Sequence, residues 1–222
     1  IELHEGFLPG NLEPAPDLVV VGNVCRRDNP EARAAIDGGL KYMHMCDALG
    51  ELILKETAPL VVAGTHGKTT TSTMCAWLLE QAQLEPGFLI GGVPKNFDRG
   101  WQLPRGGRGG KGLPLLQRGE RDGSGSRPRA TPFVIEGDEY DTAFFDKTPK
   151  CWHYRPEVAI ITSLEHDHID IYPDEASYRA AFEGFVERVP ETGLIVAYAG
   201  DPAVVAVVKE HARAPVTWYA LD

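Results

Sequence analysis

Three stretches of this chain end in residues that can handle a polyphosphate and its cation. The first is Leu60-Val-Val-Ala-Gly-Thr-His-Gly-Lys-Thr-Thr-Thr71. Gly64 and Gly67 let the backbone turn tightly and approach a ligand with no Cβ in the way. A helix that begins directly after Gly67 aims the backbone N–H groups of Gly64, Thr65, His66, Gly67, Lys68, Thr69 and Thr70 at an anion. In that setting Lys68 reaches the outer phosphates and the Thr69 hydroxyl sits on Mg²⁺. His66 either contacts phosphate or shapes the loop. The longer phosphate-loop pattern has a glycine where this chain has Val62, so the loop is the shorter G-x-x-G-K-T.

The second stretch is Glu136-Gly-Asp-Glu-Tyr-Asp141, and the third is Ser163-Leu-Glu-His-Asp-His-Ile-Asp170. Mg²⁺ takes oxygen ligands, usually one or two carboxylates plus phosphate and water. Glu136, the first acid after its apolar run, is the partner expected for Thr69. His168, or Asp167 beside it, is placed to hold a second cation. Asp138, Glu139 and Asp141 read as acids that cap the next element. His166 reads as a surface residue, and His153-Tyr154 as locally packed.

The elements that must position these residues alternate along the chain. Strands are expected at Asp17–Val21, Leu60–Ala63, Phe133–Ile135, Val158–Thr162, Leu194–Tyr198 and Val216–Tyr219, with short apolar runs at Lys41–His44 and Phe88–Ile90. Asn29-Pro30 and Asp201-Pro202 each place a capping side chain before a proline at the first helical position. Asp174 caps a helix with Tyr178, Phe182, Phe185 and Val189 on one face, and Met74, Cys75, Leu78 and Leu79 mark the helix after the loop. This order implies an α/β fold with a parallel sheet, whose ligand sits outside the carboxyl ends of the strands. The three chemical stretches all follow such strands.

The 222 residues carry a net charge of −10, which argues against general nucleic-acid binding. No apolar run is long enough to span a bilayer, so no membrane partner is expected. Cys25, Cys46, Cys75 and Cys151 are widely spaced and read as reduced thiols of a cytoplasmic protein, a metal site being the other reading. Residues 99–129 hold eight basic residues and nine glycines, a composition that cannot bury a core and predicts a mobile surface insertion. The chain opens on Ile1 and ends soon after a strand, so both ends read as cuts through a longer protein.

These motifs, in this order, resemble the Mur ligase family of ATP-dependent amide-forming enzymes. Gly64–Thr71 looks like its ATP loop, and Glu136–Asp141 and Asp167–Asp170 look like its metal-binding stretches. Pro86–Pro94, Asn96-Phe97, Glu139–Lys147 and His153–Pro156 are similar to its tripeptide-recycling branch. The resemblance implies a P-loop central domain at 58–222, preceded at 1–57 by part of a Rossmann-like UDP-sugar domain, with a C-terminal domain absent. It implies ATP and Mg²⁺ as cofactors, and UDP-N-acetylmuramate and a murein tripeptide as substrates. Lys68, Glu136 and His168 would be catalytic, and Thr69, Glu136 and His168 would hold metal. The rival readings are a UDP-N-acetylmuramate–L-alanine ligase, a folylpolyglutamate synthase, and a MgATP-binding piece that joins nothing. Ser163 stands where the family usually has Asn, and Glu183 where some branches carry a carbamylated lysine.

Overall fold

The computed structural model describes residues 2–105, 130–167 and 169–220. Two short parallel strands, β1 (Val19–Val21) and β2 (Tyr42–His44), form a small sheet with helices α1 (Pro30–Asp37) and α2 (Met45–Leu52). The remainder runs β3 (Ala58–Ala63), α3 (Lys68–Gln81), β4 (Gly87–Leu89), β5 (Trp101–Gln102), β6 (Pro132–Gly137), a hairpin of β7 (Asp141–Ala143) and β8 (Asp146–Pro149), β9 (Val158–Ile161), α4 (Glu175–Glu187), β10 (Leu194–Tyr198), α5 (Pro202–His211) and β11 (Val216–Tyr219).

Strand β3 is buried at all six positions because it lies in the middle of the main sheet, whose order is β11-β10-β9-β3-β6-β4-β5. Every pairing is parallel except β4 with β5. Alternate residues of β3 serve opposite faces. Leu60 and Val62 pack with Ala76 of α3, Phe88 and Val134. Val61 and Ala63 pack with Tyr178, Phe182 and Phe185 of α4 and Val204, Val207 and Val208 of α5. Full burial of each such aliphatic side chain contributes roughly 1.5–3 kcal/mol. Helices thus cover both faces, as a parallel sheet requires.

The expected caps form. Asn29 accepts from the Ala32 N–H at 2.9 Å and Asp174 from the Ser177 N–H at 2.7 Å. Asp201 accepts from Ala203 N at 2.8 Å with one oxygen and from Leu164 N at 2.7 Å with the other, so the α5 cap also holds the loop after β9.

Two features depart from the sequence reading. Trp101 and Gln102, inside the window expected to be loop, pair with Leu89 and Phe88 as an antiparallel edge strand. The rest of that window, 106–129, lies outside the described residues. His153 and Tyr154 reach across the chain instead of packing locally: Tyr154 OH lies 3.5 Å from Cys46 Sγ, and His153 Nδ1 donates to Asp47 Oδ1 at 3.0 Å.

Those contacts build the joint between the N-terminal unit and the hairpin. His44 is buried, and its Nδ1 accepts from the Asp47 N–H at 3.1 Å, which places the proton on Nε2. That N–H faces Asp47 Oδ2 at 3.1 Å and Asp146 Oδ2 at 3.3 Å. The Thr148 hydroxyl donates to Asp146 Oδ1 at 2.6 Å, so toward His153 Nε2, 2.8 Å away, it accepts. The ligand atoms of His44, Asp146 and His153 lie within 4.8 Å of one another, a spacing that could suit a metal. A metal at His44 Nε2 needs the lone pair its proton occupies, so the cluster acts as a hydrogen-bonded clasp.

Candidate functional site

Because β9, β3 and β6 are neighbours in the sheet, their carboxyl ends bring the three chemical stretches to one rim. The loop after β3 is pinned from the β9 side. Thr65 N donates to Ser163 O at 3.1 Å and His66 N to Ser163 Oγ at 3.0 Å, while Thr162 Oγ1 donates to His66 O at 2.6 Å. Ser163, a departure from the family's usual Asn, thus uses its short hydroxyl to hold the turn. Thr65 is buried beneath the loop and both donates to Glu165 O and accepts from Glu165 N, each at 2.9 Å.

Gly64 sits at φ +142°, and a Cβ there would fall 2.1 Å from Thr162 Oγ1 and 2.9 Å from Ser163 N. Strain and clash each cost about 1–3 kcal/mol. We expect Gly64→Ala to lower stability by about 3 kcal/mol, read as a drop in the urea midpoint. An unchanged midpoint would show that the turn relaxes freely. Gly67, at φ +81°, is the N-cap of α3 and supplies no side-chain cap, which leaves the helix mouth open to an anion.

Lys68 folds back over the turn. Its Nζ donates to Gly64 O at 2.7 Å and pairs with Glu139 Oε2 at 3.2 Å. Glu139 is only 1% exposed. Tyr178 OH lies 2.9 Å from Thr65 Oγ1 and donates to Glu139 Oε1 at 3.4 Å. The Tyr172 hydroxyl donates to the Glu139 backbone carbonyl. Burial pushes both phenols well up, so they remain neutral donors. Glu139 is thus no simple cap: it is the counter-charge of the loop lysine.

Thr69 Oγ1 donates to Glu136 Oε2 at 3.1 Å, the pairing expected from sequence. Gly91 N donates to the other oxygen, Glu136 Oε1, at 2.7 Å, which fixes the carboxylate. An exposed hydroxyl and carboxylate this close form an oxygen-only pair of the kind a hard divalent cation takes. Thr70 is exposed in the first turn of α3, and His66 is exposed with Nε2 3.7 Å from Glu165 Oε2. His168 lies outside the described residues; its neighbour Glu165 docks on the loop through Thr65. Asp138 pairs with Lys150 at 3.5 Å and Asp141 with Lys147 at 2.6 Å.

Sequence reasoning did not single out Glu139, Tyr178 or Ser163 as site residues. Tyr178 shows the spacing of a core residue, and its hydroxyl meets the loop only through the tertiary fold. Glu183, at the position where some branches carry a modified lysine, pairs with Arg179 on α4 at 2.8 Å.

Residues 124–221 match the family model described as the Mur ligase middle domain. The chain contains a Mur ligase middle domain. It is 42% identical over 196 residues to the UDP-N-acetylmuramate–L-alanyl-γ-D-glutamyl-meso-2,6-diaminoheptandioate ligase of Escherichia coli K12, a match covering 88% of this chain and 38% of that protein. It is 40% identical over 199 residues to the UDP-N-acetylmuramate–L-alanine ligase of Kineococcus radiotolerans, covering 90% of this chain and 35% of the relative. A solved structure of the first kind of ligase, from Neisseria meningitides, superposes with a TM-score of 0.81 at 40% identity, covering 97% of this chain and 62% of that one. The chain therefore spans well under half the length of the two curated relatives. Of the three rim strands, β6 and β9 lie inside the matched residues and β3 precedes them. Among the described residues no helix is long and apolar enough to cross a membrane.

Proposed function

We propose that this chain is the nucleotide-handling part of an ATP-dependent ligase that joins L-alanyl-γ-D-glutamyl-meso-diaminopimelate to UDP-N-acetylmuramate. The observation that carries the reading is the convergence of Lys68, Thr69 and Glu136 on one rim, in a chain 42% identical to a ligase of that name. Bound MgATP would supply the phosphoryl group that converts the sugar's carboxylate into an acyl phosphate, which the peptide amine then attacks.

The chain's own residues provide placement and charge. The open mouth of α3 receives phosphate oxygens. Lys68 turns from Glu139 toward the outer phosphates. Thr69 and Glu136 hold Mg²⁺, and the oxygen-only chemistry of that pair fits it. In this reading His168 holds a second cation. The segments 1–57 and 58–222 belong to the UDP-sugar domain and the ATP domain. Four thiols without a disulfide suit a cytoplasmic enzyme.

The full-length protein, given ATP, Mg²⁺ and UDP-N-acetylmuramate, should form amide product with the tripeptide and not with L-alanine. The 40% identity to an L-alanine ligase favours that as the second reading, and preference for L-alanine would select it. The 222 residues alone, whose match covers 38% of a relative, should bind MgATP and form no amide. Product from them alone would overturn the assignment of the missing roles to other parts of the protein.

A further inference from the structure

Between the N-terminal unit and the sheet rim lies a cavity of about 200 Å³. Met45, Leu49 and Leu89 give it an apolar wall, while Glu136, Asp138 and Lys150 give it a charged one. Lys150 is the one cationic side chain among the described residues that line it. Its position is set by the backbone: Lys150 N donates to Tyr140 O and Cys151 N donates to Asp138 O, each at 3.0 Å. The ammonium lies 5.6 Å from the centre of the Tyr140 ring and makes one long hydrogen bond, 3.5 Å to Asp138 Oδ2. An ammonium has three donors. Two of them have no partner among the described residues, in a cavity that also holds the carboxylate paired with Thr69.

We propose that Lys150 receives the carboxylate that is to be activated, and so is a substrate-binding residue of the ligation. This rests on the ligase reading and names a residue for it. Glu136 and Asp138 alone would make the polar wall repel an anion; Lys150 makes it accept one. The apolar wall suits the short carbon arm that carries such a carboxylate. Lys150 donates N–H to one carboxylate oxygen and leaves the other to attack phosphorus. The new O–P bond forms as the bond from phosphorus to the departing diphosphate oxygen breaks. No proton moves, and the total charge of −5 in roughly this ionisation state is kept by the acyl phosphate and ADP.

The test uses the full-length protein and two nucleotide sugars, UDP-N-acetylmuramate and UDP-N-acetylglucosamine, which lacks the carboxylate arm. Calorimetry without ATP should show Lys150→Gln weakening the first by about tenfold or more and the second by less than about twofold. The KM for UDP-N-acetylmuramate should rise while that for ATP stays. In the wild type, UDP-N-acetylmuramate but not UDP-N-acetylglucosamine should shield Lys150 from acetylation by an amine-reactive ester, read by mass spectrometry. Equal loss for both sugars, no loss, or equal shielding overturns the proposal. If the wild type forms amide product while Lys150 fails these tests, the ligase reading stands and this assignment falls. If the wild type forms none, the ligase reading itself falls.

Discussion

Lys68→Ala in the full-length protein should lower ligation by about 10³-fold and also destabilise the middle domain by about 3 kcal/mol. The first effect follows from removing the charge that meets the phosphates. The second follows from Glu139, whose side chain is 2% exposed against 13% for Lys68. Deleting the lysine leaves a buried carboxylate without its cation, a far larger loss than a surface ion pair gives. The double variant Lys68→Met, Glu139→Gln separates the two effects. It should regain most of the stability, because neither charge remains, and none of the activity. Denaturant titration and ADP release measure the two sides of this cycle. Additive stability losses would show that the pair does not couple, and wild-type turnover in Lys68→Ala would end the phosphate role.

Glu136→Gln should keep the fold and lose the chemistry. The amide oxygen can still accept from Gly91 N, which holds Glu136 Oε1 at 2.7 Å, so the melting temperature should stay within a few degrees of wild type. The charge beside Thr69 is gone, and with it a hard anionic ligand for Mg²⁺. Ligation should fall by about 10²-fold or more, and nucleotide affinity should lose most of its dependence on Mg²⁺. Glu136→Ala should show the same catalytic loss with an added stability cost of about 1 kcal/mol from the lost hydrogen bond of Gly91 N–H. Titration of nucleotide with and without Mg²⁺ checks this directly; an Mg²⁺ dependence intact in both variants would remove Glu136 from the metal site.

Much of this was legible before any coordinates. The strand at Leu60–Ala63, the glycine turn and the Lys-Thr pair carry their own local signals, and so do the cap-plus-proline starts at Asn29 and Asp201. The Thr69–Glu136 pairing was readable because Glu136 ends one apolar run and Thr69 follows the glycine turn after another, and the parallel order puts those strand ends side by side. What was not readable depends on partners distant in the chain. The hairpin β7–β8 lacks a continuous apolar run, since Asp141 and Lys147 are committed to an ion pair and Asp146 to hydrogen bonds from Thr148. β5 is two residues long and exists only because β4 offers it an edge. Glu139 looked like any acid after a strand; its burial against Lys68 and Tyr178 arises from three separate elements. His153 meets Asp47 across 106 positions, a distance no local pattern encodes.

The antiparallel course of β5 has a practical consequence. Trp101 lies opposite Leu89 and Gln102 opposite Phe88, so the chain runs away from the rim, and Arg105 N reaches Glu85 O while Thr131 O meets Ala58 N at the start of β3. Arg105 and Thr131, described residues on either side of that window, therefore both sit at the end of the sheet away from Lys68. A dye or affinity handle attached at the exposed Arg105 would therefore stand a strand's length away from Lys68 and Thr69.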